Sequence, residues 1–82
     1  AQQYLAFIYY EQGDYGMAIP IFEQLIERGY YNQDDMEWYL ALSYLAEGDK
    51  TKGEAQLKDF LANYPTDDRN SNARTLLDKI PE

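Results

Sequence analysis

Eighty-two residues with 45% hydrophobic content and a formal net charge of −8 suffice for one small folded domain with a modest core, and argue against disorder. The chain has neither cysteine nor histidine. That excludes a disulfide framework and a thiolate zinc site, and removes the commonest general base and metal ligand. Its acidity disfavours nucleic-acid phosphates and anionic membrane surfaces, and no apolar run reaches the ~18 residues that a membrane span needs.

The first helix is expected over residues 1–12, where Leu5, Ile8 and Tyr9 recur at helical spacing. Gly13-Asp14 stops it: glycine takes the left-handed conformation that follows a helix, and the aspartate is placed to cap the next one. The second helix is expected from Tyr15 to Arg28, burying Ala18, Ile21, Phe22, Leu25 and Ile26 and ending at Gly29. Pro20 inside it removes one amide donor, and Gly16 four residues earlier leaves room for a mild kink.

A polar connection over residues 30–34 leads to a third helix ending near Glu47, with Asp34 or Asp35 as its cap and Met36, Tyr39, Leu40 and Tyr44 on one side. Gly48-Asp49 repeats the stop-and-start signal. The fourth helix is expected from Thr51 to Asn63, burying Ala55, Leu57, Phe60 and Leu61, and closing at Tyr64-Pro65 because the residue before proline avoids helical geometry. After a loop over residues 66–71, Ala73, Leu76, Leu77 and Ile80 fall at i, i+3, i+4 and i+7, which marks one more amphipathic helix. The chain is therefore all-α, with five helices.

The pattern repeats at an offset of 35 residues. Leu5-Ala6, Tyr9, Gly13-Asp14, Ala18, Phe22, Leu25 and Tyr30 return as Leu40-Ala41, Tyr44, Gly48-Asp49, Gly53, Leu57, Phe60 and Pro65. A period of this size means stacked supersecondary units, each too small to bury its own apolar face. Tyr9-Tyr10-Glu11-Gln12-Gly13-Asp14-Tyr15 with Ala18-Ile19 and Phe22, and the second copy Leu40 to Asp49 with Pro65, resemble the helix–turn–helix core of the tetratricopeptide repeat. The resemblance covers residues 1–65. It implies a right-handed α-solenoid of antiparallel helix hairpins: repeat one over 1–32, repeat two over 33–65, and a capping helix over 69–80. Small side chains at Ala6, Ala18, Ala41 and Gly53 would let the paired helices approach closely, although glycine at 53 should weaken its helix by ~1 kcal/mol.

The chain departs from the pattern in places. Tyr30 stands where the family usually has proline, and Gln2 and Glu37 where it often has a large apolar residue, with Trp38 displaced by one position. In the last helix, Leu77 is read in the place of Ala6 and Ala41, so that helix is a lid with Asn72, Arg74, Asp78 and Lys79 toward water rather than a third repeat. The sequence starts at Ala1 without Met and shows no matching lid there. It reads as an excised or processed piece of a longer array, so the compartment is left open.

The resemblance places the first-helix side chains that face away from the second helices on a concave binding surface. These are Gln3, Phe7, Tyr10 and Glu11 in the first repeat, and Trp38, Leu42 and Leu45 in the second, with Asp35 at the rim. An apolar, aromatic stripe of this kind is either an open groove or a face covered by the capping helix or a neighbouring chain. Gln3, Phe7 and Leu42 stand where some family members hold lysine or asparagine to clamp a carboxylate, so a clamp of that type is not expected. An apolar or basic peptide suits the surface better, with Glu11 and Asp35 supplying charge complementarity. The acids Asp34, Asp35, Glu37, Asp67 and Asp68 lack calcium-loop spacing and read as helix caps and solvated surface. No phosphate-binding loop, dense basic patch or paired catalytic carboxylates are present.

The expected function is a non-catalytic protein-interaction scaffold without a cofactor or metal, binding a protein or peptide and neither nucleic acid nor membrane. Two alternatives stand beside it. One is homo-oligomerisation through the repeat edge at Ile8, Met17 and Ile19. The other is a non-catalytic region of a larger regulator.

Overall fold

Two turns with the same hydrogen bonding organise the chain. After the first helix, the Gly13 N–H donates to Tyr10 O at 3.0 Å and the Asp14 N–H to Tyr9 O at 2.8 Å; after the third, Gly48 donates to Leu45 O at 3.0 Å and Asp49 to Tyr44 O at 2.9 Å. This double closure needs a left-handed residue just past the helix. Gly13 (φ 78°) and Gly48 (φ 86°) supply it, at a backbone angle that costs any other side chain 1–2 kcal/mol, an order-of-magnitude figure.

The computed structural model describes residues 2–29 and 32–80. Five helices follow in order: α1 (Gln2–Glu11), α2 (Tyr15–Arg28), α3 (Gln33–Ala46), α4 (Lys50–Asn63) and α5 (Asn70–Lys79). No strand occurs among the described residues. Each helix packs against the next in the chain, which gives two antiparallel hairpins side by side and a final helix laid against α4. α2 runs unbroken through Pro20.

Two clusters fill the space between these elements. The first joins both hairpins, with Ala6 from α1, Ala18, Phe22 and Leu25 from α2, and Met36, Leu40 and Tyr44 from α3. The second joins α3, α4 and α5 through Trp38, Ala41, Leu57, Phe60 and Ala73, flanked by Leu76, Leu77 and Ile80. Tyr39 borders both. Neither hairpin has a private core: the apolar side of α3 faces the first hairpin and its other side faces α4.

Several local expectations change. Asp49 caps α4, its Oδ1 accepting the Lys52 N–H at 3.1 Å, whereas Asp14 stands at the start of α2 without a side-chain bond. Neither Asp34 nor Asp35 caps α3. The helix begins earlier, after a left-handed Asn32 (φ 60°), and both aspartates lie in its first turn, where their charge favours the helix dipole. Ala55 is exposed rather than buried. In α5 the fully buried small residue is Ala73, while Leu77 is only partly covered, so Ala73 makes the close contact.

Gly53 has a specific reason to be glycine. A Cβ there would lie 2.5 Å from Leu45 Cδ2 and 2.8 Å from its Cγ. The helix weakness expected from this residue is thus tied to the close approach of α3 and α4.

Candidate interaction surface

The expected surface residues sit on α1 and α3, and the structure divides them into two groups. The first group remains at the surface. Phe7 and Tyr10 are half-buried and Glu11 is exposed. Phe7 meets Phe22 and Tyr39 edge-on, each at 5.3 Å between ring centroids; Tyr10 meets Tyr39 at 4.9 Å and Tyr15 at 5.6 Å. These edge-to-face contacts hold the rings in fixed orientations, and Tyr39 of the second hairpin locks the aromatic side chains of the first. Burial, then the neighbouring Tyr15, Tyr39 and Glu11, raise the Tyr10 phenol above its usual range, which keeps it a neutral hydrogen-bond donor. Leu42 and Leu45 are also half-buried, Leu45 held by its contact with Gly53. Gln3 lies in α1, with its side chain outside the described residues.

The second group is engaged within the chain, Trp38 by burial and Asp35 by an ion pair. Trp38 keeps only 8% of its surface. It packs on Phe60 at 5.3 Å between centroids in the cluster that α5 closes. It is a core residue rather than part of an open groove. Asp35 is not a free rim charge either: Arg69 Nη1 donates to its Oδ1 at 2.8 Å.

That arginine is the centre of a feature the sequence pattern did not reveal. Arg69 Nη2 also reaches Asp34 Oδ2 at 3.3 Å and Asp67 Oδ2 at 2.9 Å, and its Nε reaches Asp67 Oδ1 at 2.9 Å. Its guanidinium carbon lies 5.3 Å from the Phe60 ring centroid and 5.9 Å from that of Trp38. A planar cation over aromatic rings, forked onto carboxylates, combines two favourable contacts. The side-chain bonds from Arg69, followed by its backbone N–H, hold the Asp67 carboxyl at about 2. Asp34, Asp35 and Asp67 thus gather around a guanidinium, and they latch the α4–α5 loop to the start of α3. An open depression of about 670 Å³ runs along this loop from Asn63 to Arg69. Among the described residues, no group of three acids, histidines or cysteines is arranged to hold a metal ion.

Glu37 makes a second cross-link. Although buried, its carboxylate accepts from Asn63 Nδ2 at 2.9 Å and from Tyr64 OH at 2.6 Å, and its carbonyl accepts from Gln56 Nε2 at 3.3 Å. Burial, then the bond to Glu37, raise the Tyr64 phenol, so it stays a donor. The departure from an apolar residue at position 37 is therefore a satisfied buried acceptor, as buried polar groups require. Between the hairpins Tyr44 OH donates to Glu23, and Lys52 Nζ lies 5.8 Å from the Tyr44 ring centroid.

Stacked helical hairpins of one pattern, closed by identical glycine turns, define a helical-repeat protein. The tetratricopeptide repeat model matches residues 1–30 and 35–67, and the chain belongs to that family. Comparisons with curated proteins and with solved structures returned no match. Repeats of this family generally mediate protein–protein interaction. Among the described residues, no helix is long and apolar enough to cross a membrane.

Proposed function

We propose that this chain is a non-catalytic interaction module that takes an apolar or basic peptide segment on the first-helix side of its two hairpins. The observation that carries the reading is the set of half-exposed rings Phe7 and Tyr10, each in edge-on contact with Tyr39. Rigid aromatic side chains bind with little loss of conformational freedom, which makes them effective anchors. Leu42 and Leu45 extend the apolar surface on α3, and exposed Glu11 with the net charge of −8 favours a cationic partner. Trp38 and Asp35 are left out, the first as core and the second as the partner of Arg69.

Panning random peptides against the folded chain tests this. Ligands enriched in lysine, arginine and apolar residues are expected, with Tyr10→Ser and Leu42→Glu weakening them at least ~10-fold, in the range of interface hot spots, while thermal melts move by only a few degrees. Ligands indifferent to both substitutions would contradict the proposal.

A further inference from the structure

At two places a cation of this chain lies over an aromatic ring that has a carboxylate beside it. The Arg69 guanidinium sits 5.3 Å from the Phe60 ring centroid while it forks onto Asp67. Lys52 Nζ sits 5.8 Å from the centroid of Tyr44, whose hydroxyl donates to Glu23. The first hairpin holds the same pairing without the cation. Tyr10 and Tyr15 meet edge-on at 5.6 Å across the α1–α2 turn; both are half-buried, and Glu11 next to Tyr10 is exposed. Burial first, then Tyr15, Tyr39 and the Glu11 carboxylate, raise the Tyr10 phenol, so that charge is felt at the ring. Among the described residues, no cation lies over either tyrosine and Glu11 has no ion pair. The hairpin cannot supply one itself: Arg28, the one basic residue of α1 and α2, stands about 20 Å from Tyr15 along the helix. At the offset of 35 residues, Tyr10, Glu11 and Tyr15 correspond to Leu45, Ala46 and Lys50. The cluster therefore belongs to this hairpin and not to the repeat pattern.

We infer that Tyr10, Tyr15 and Glu11 form a subsite for an arginine side chain of the bound segment, an inference that rests on the groove reading above. The guanidinium lies over the tyrosine rings and forks onto the Glu11 carboxylate, as Arg69 does with Phe60 and Asp67. Arginine suits the place better than lysine: its planar, weakly hydrated head stacks on a ring and meets a carboxylate with two donors at once. The net charge of −8 draws such a residue in, and the edge-on packing of Tyr10 against Tyr15 and Tyr39 holds the platform in place before it arrives. The subsite fixes the basic end of the segment at the α1–α2 turn, with its apolar part toward Phe7 and Leu42.

The test adds N-acetyl-arginine methylamide to the folded chain and follows it by NMR. Saturable shifts centred on Tyr10, Glu11 and Tyr15 are expected. The citrulline analogue, which keeps the shape and lacks the charge, should bind at least ~5-fold more weakly, and the lysine analogue should fall between the two. Glu11→Ala and Tyr15→Leu should keep the helices by circular dichroism and each weaken the arginine probe about twofold to fivefold. Arginine and citrulline binding alike, lysine binding as well as arginine, or shifts at Glu54 and Asp59 with both tyrosines unmoved would each overturn the inference. The groove reading fails separately. Panned peptides that need Leu42 yet bind the parent and Glu11→Ala alike would overturn the arginine subsite and leave the groove standing, whereas peptides indifferent to Tyr10→Ser and Leu42→Glu contradict the groove whatever the arginine probe does.

Discussion

The two hairpins carry one pattern and lead different lives. Leu5 and Leu40 are the same residue in the same register, yet one is exposed and the other buried. The first hairpin turns its spare apolar side to the surface; the second is enclosed between α2 and α5. The polar additions follow this division. Glu37 and the Asp49 cap belong to the enclosed hairpin, and Arg69 latches onto it from the α4–α5 loop, while Asp14 caps nothing with its side chain. Burial in a repeat array is therefore set by neighbours more than by the repeat itself, and equivalent substitutions should have unequal effects.

The largest loss is expected at the centre of the enclosed hairpin. Trp38→Ala should lower stability by about 3–5 kcal/mol, the range for truncating a buried aromatic. Urea unfolding measures it, and a loss under ~1 kcal/mol would return Trp38 to the surface. Glu37→Ala should come next, at roughly 2–3 kcal/mol, because Tyr64 and Asn63 lose their acceptor in a buried place. Glu37→Gln keeps one acceptor oxygen and should cost clearly less in the same assay.

Exchanging residues between the hairpins sharpens the contrast further. Ser43→Ile introduces the first hairpin's side chain at a fully buried site and should cost about 1–3 kcal/mol, whereas Ile8→Ser should stay within about 0.5 kcal/mol. Equal effects in thermal melts would show that the two sites are equally packed.

The smallest effect concerns acid. In the folded chain the Asp67 carboxyl sits at about 2, against ~3.9 for an unperturbed aspartate. A depressed folded value means that its contribution is complete above the unfolded value and is lost as pH falls through the folded one. Melting temperatures of the parent and of Asp67→Asn, followed from pH 5 to pH 2, should therefore converge below about pH 4. A gap that stays constant to pH 2 would argue against the Arg69 latch.

Helix order, the glycine stops and the family were legible because they depend on local spacing: Gly13-Asp14 and Gly48-Asp49 announce the hairpins by themselves. Trp38, Asp35, Glu37 and Arg69 were not, since their roles arise only when the α4–α5 loop folds back on the start of α3. Periodicity says which side of a helix is apolar. It does not say that α5 will cover Trp38, or that an arginine 34 residues downstream will take Asp35. Gly53 was visible as an oddity in a helix, but its contact with Leu45 needed the packed pair.

The stacking itself is tested most directly by truncating one leucine in each hairpin. Leu40→Ala should cost about 2–5 kcal/mol, as for a buried leucine, and Leu5→Ala less than ~1 kcal/mol in the same denaturant titration. Equal losses at the two positions would mean that the hairpins do not share a core, and would contradict the account.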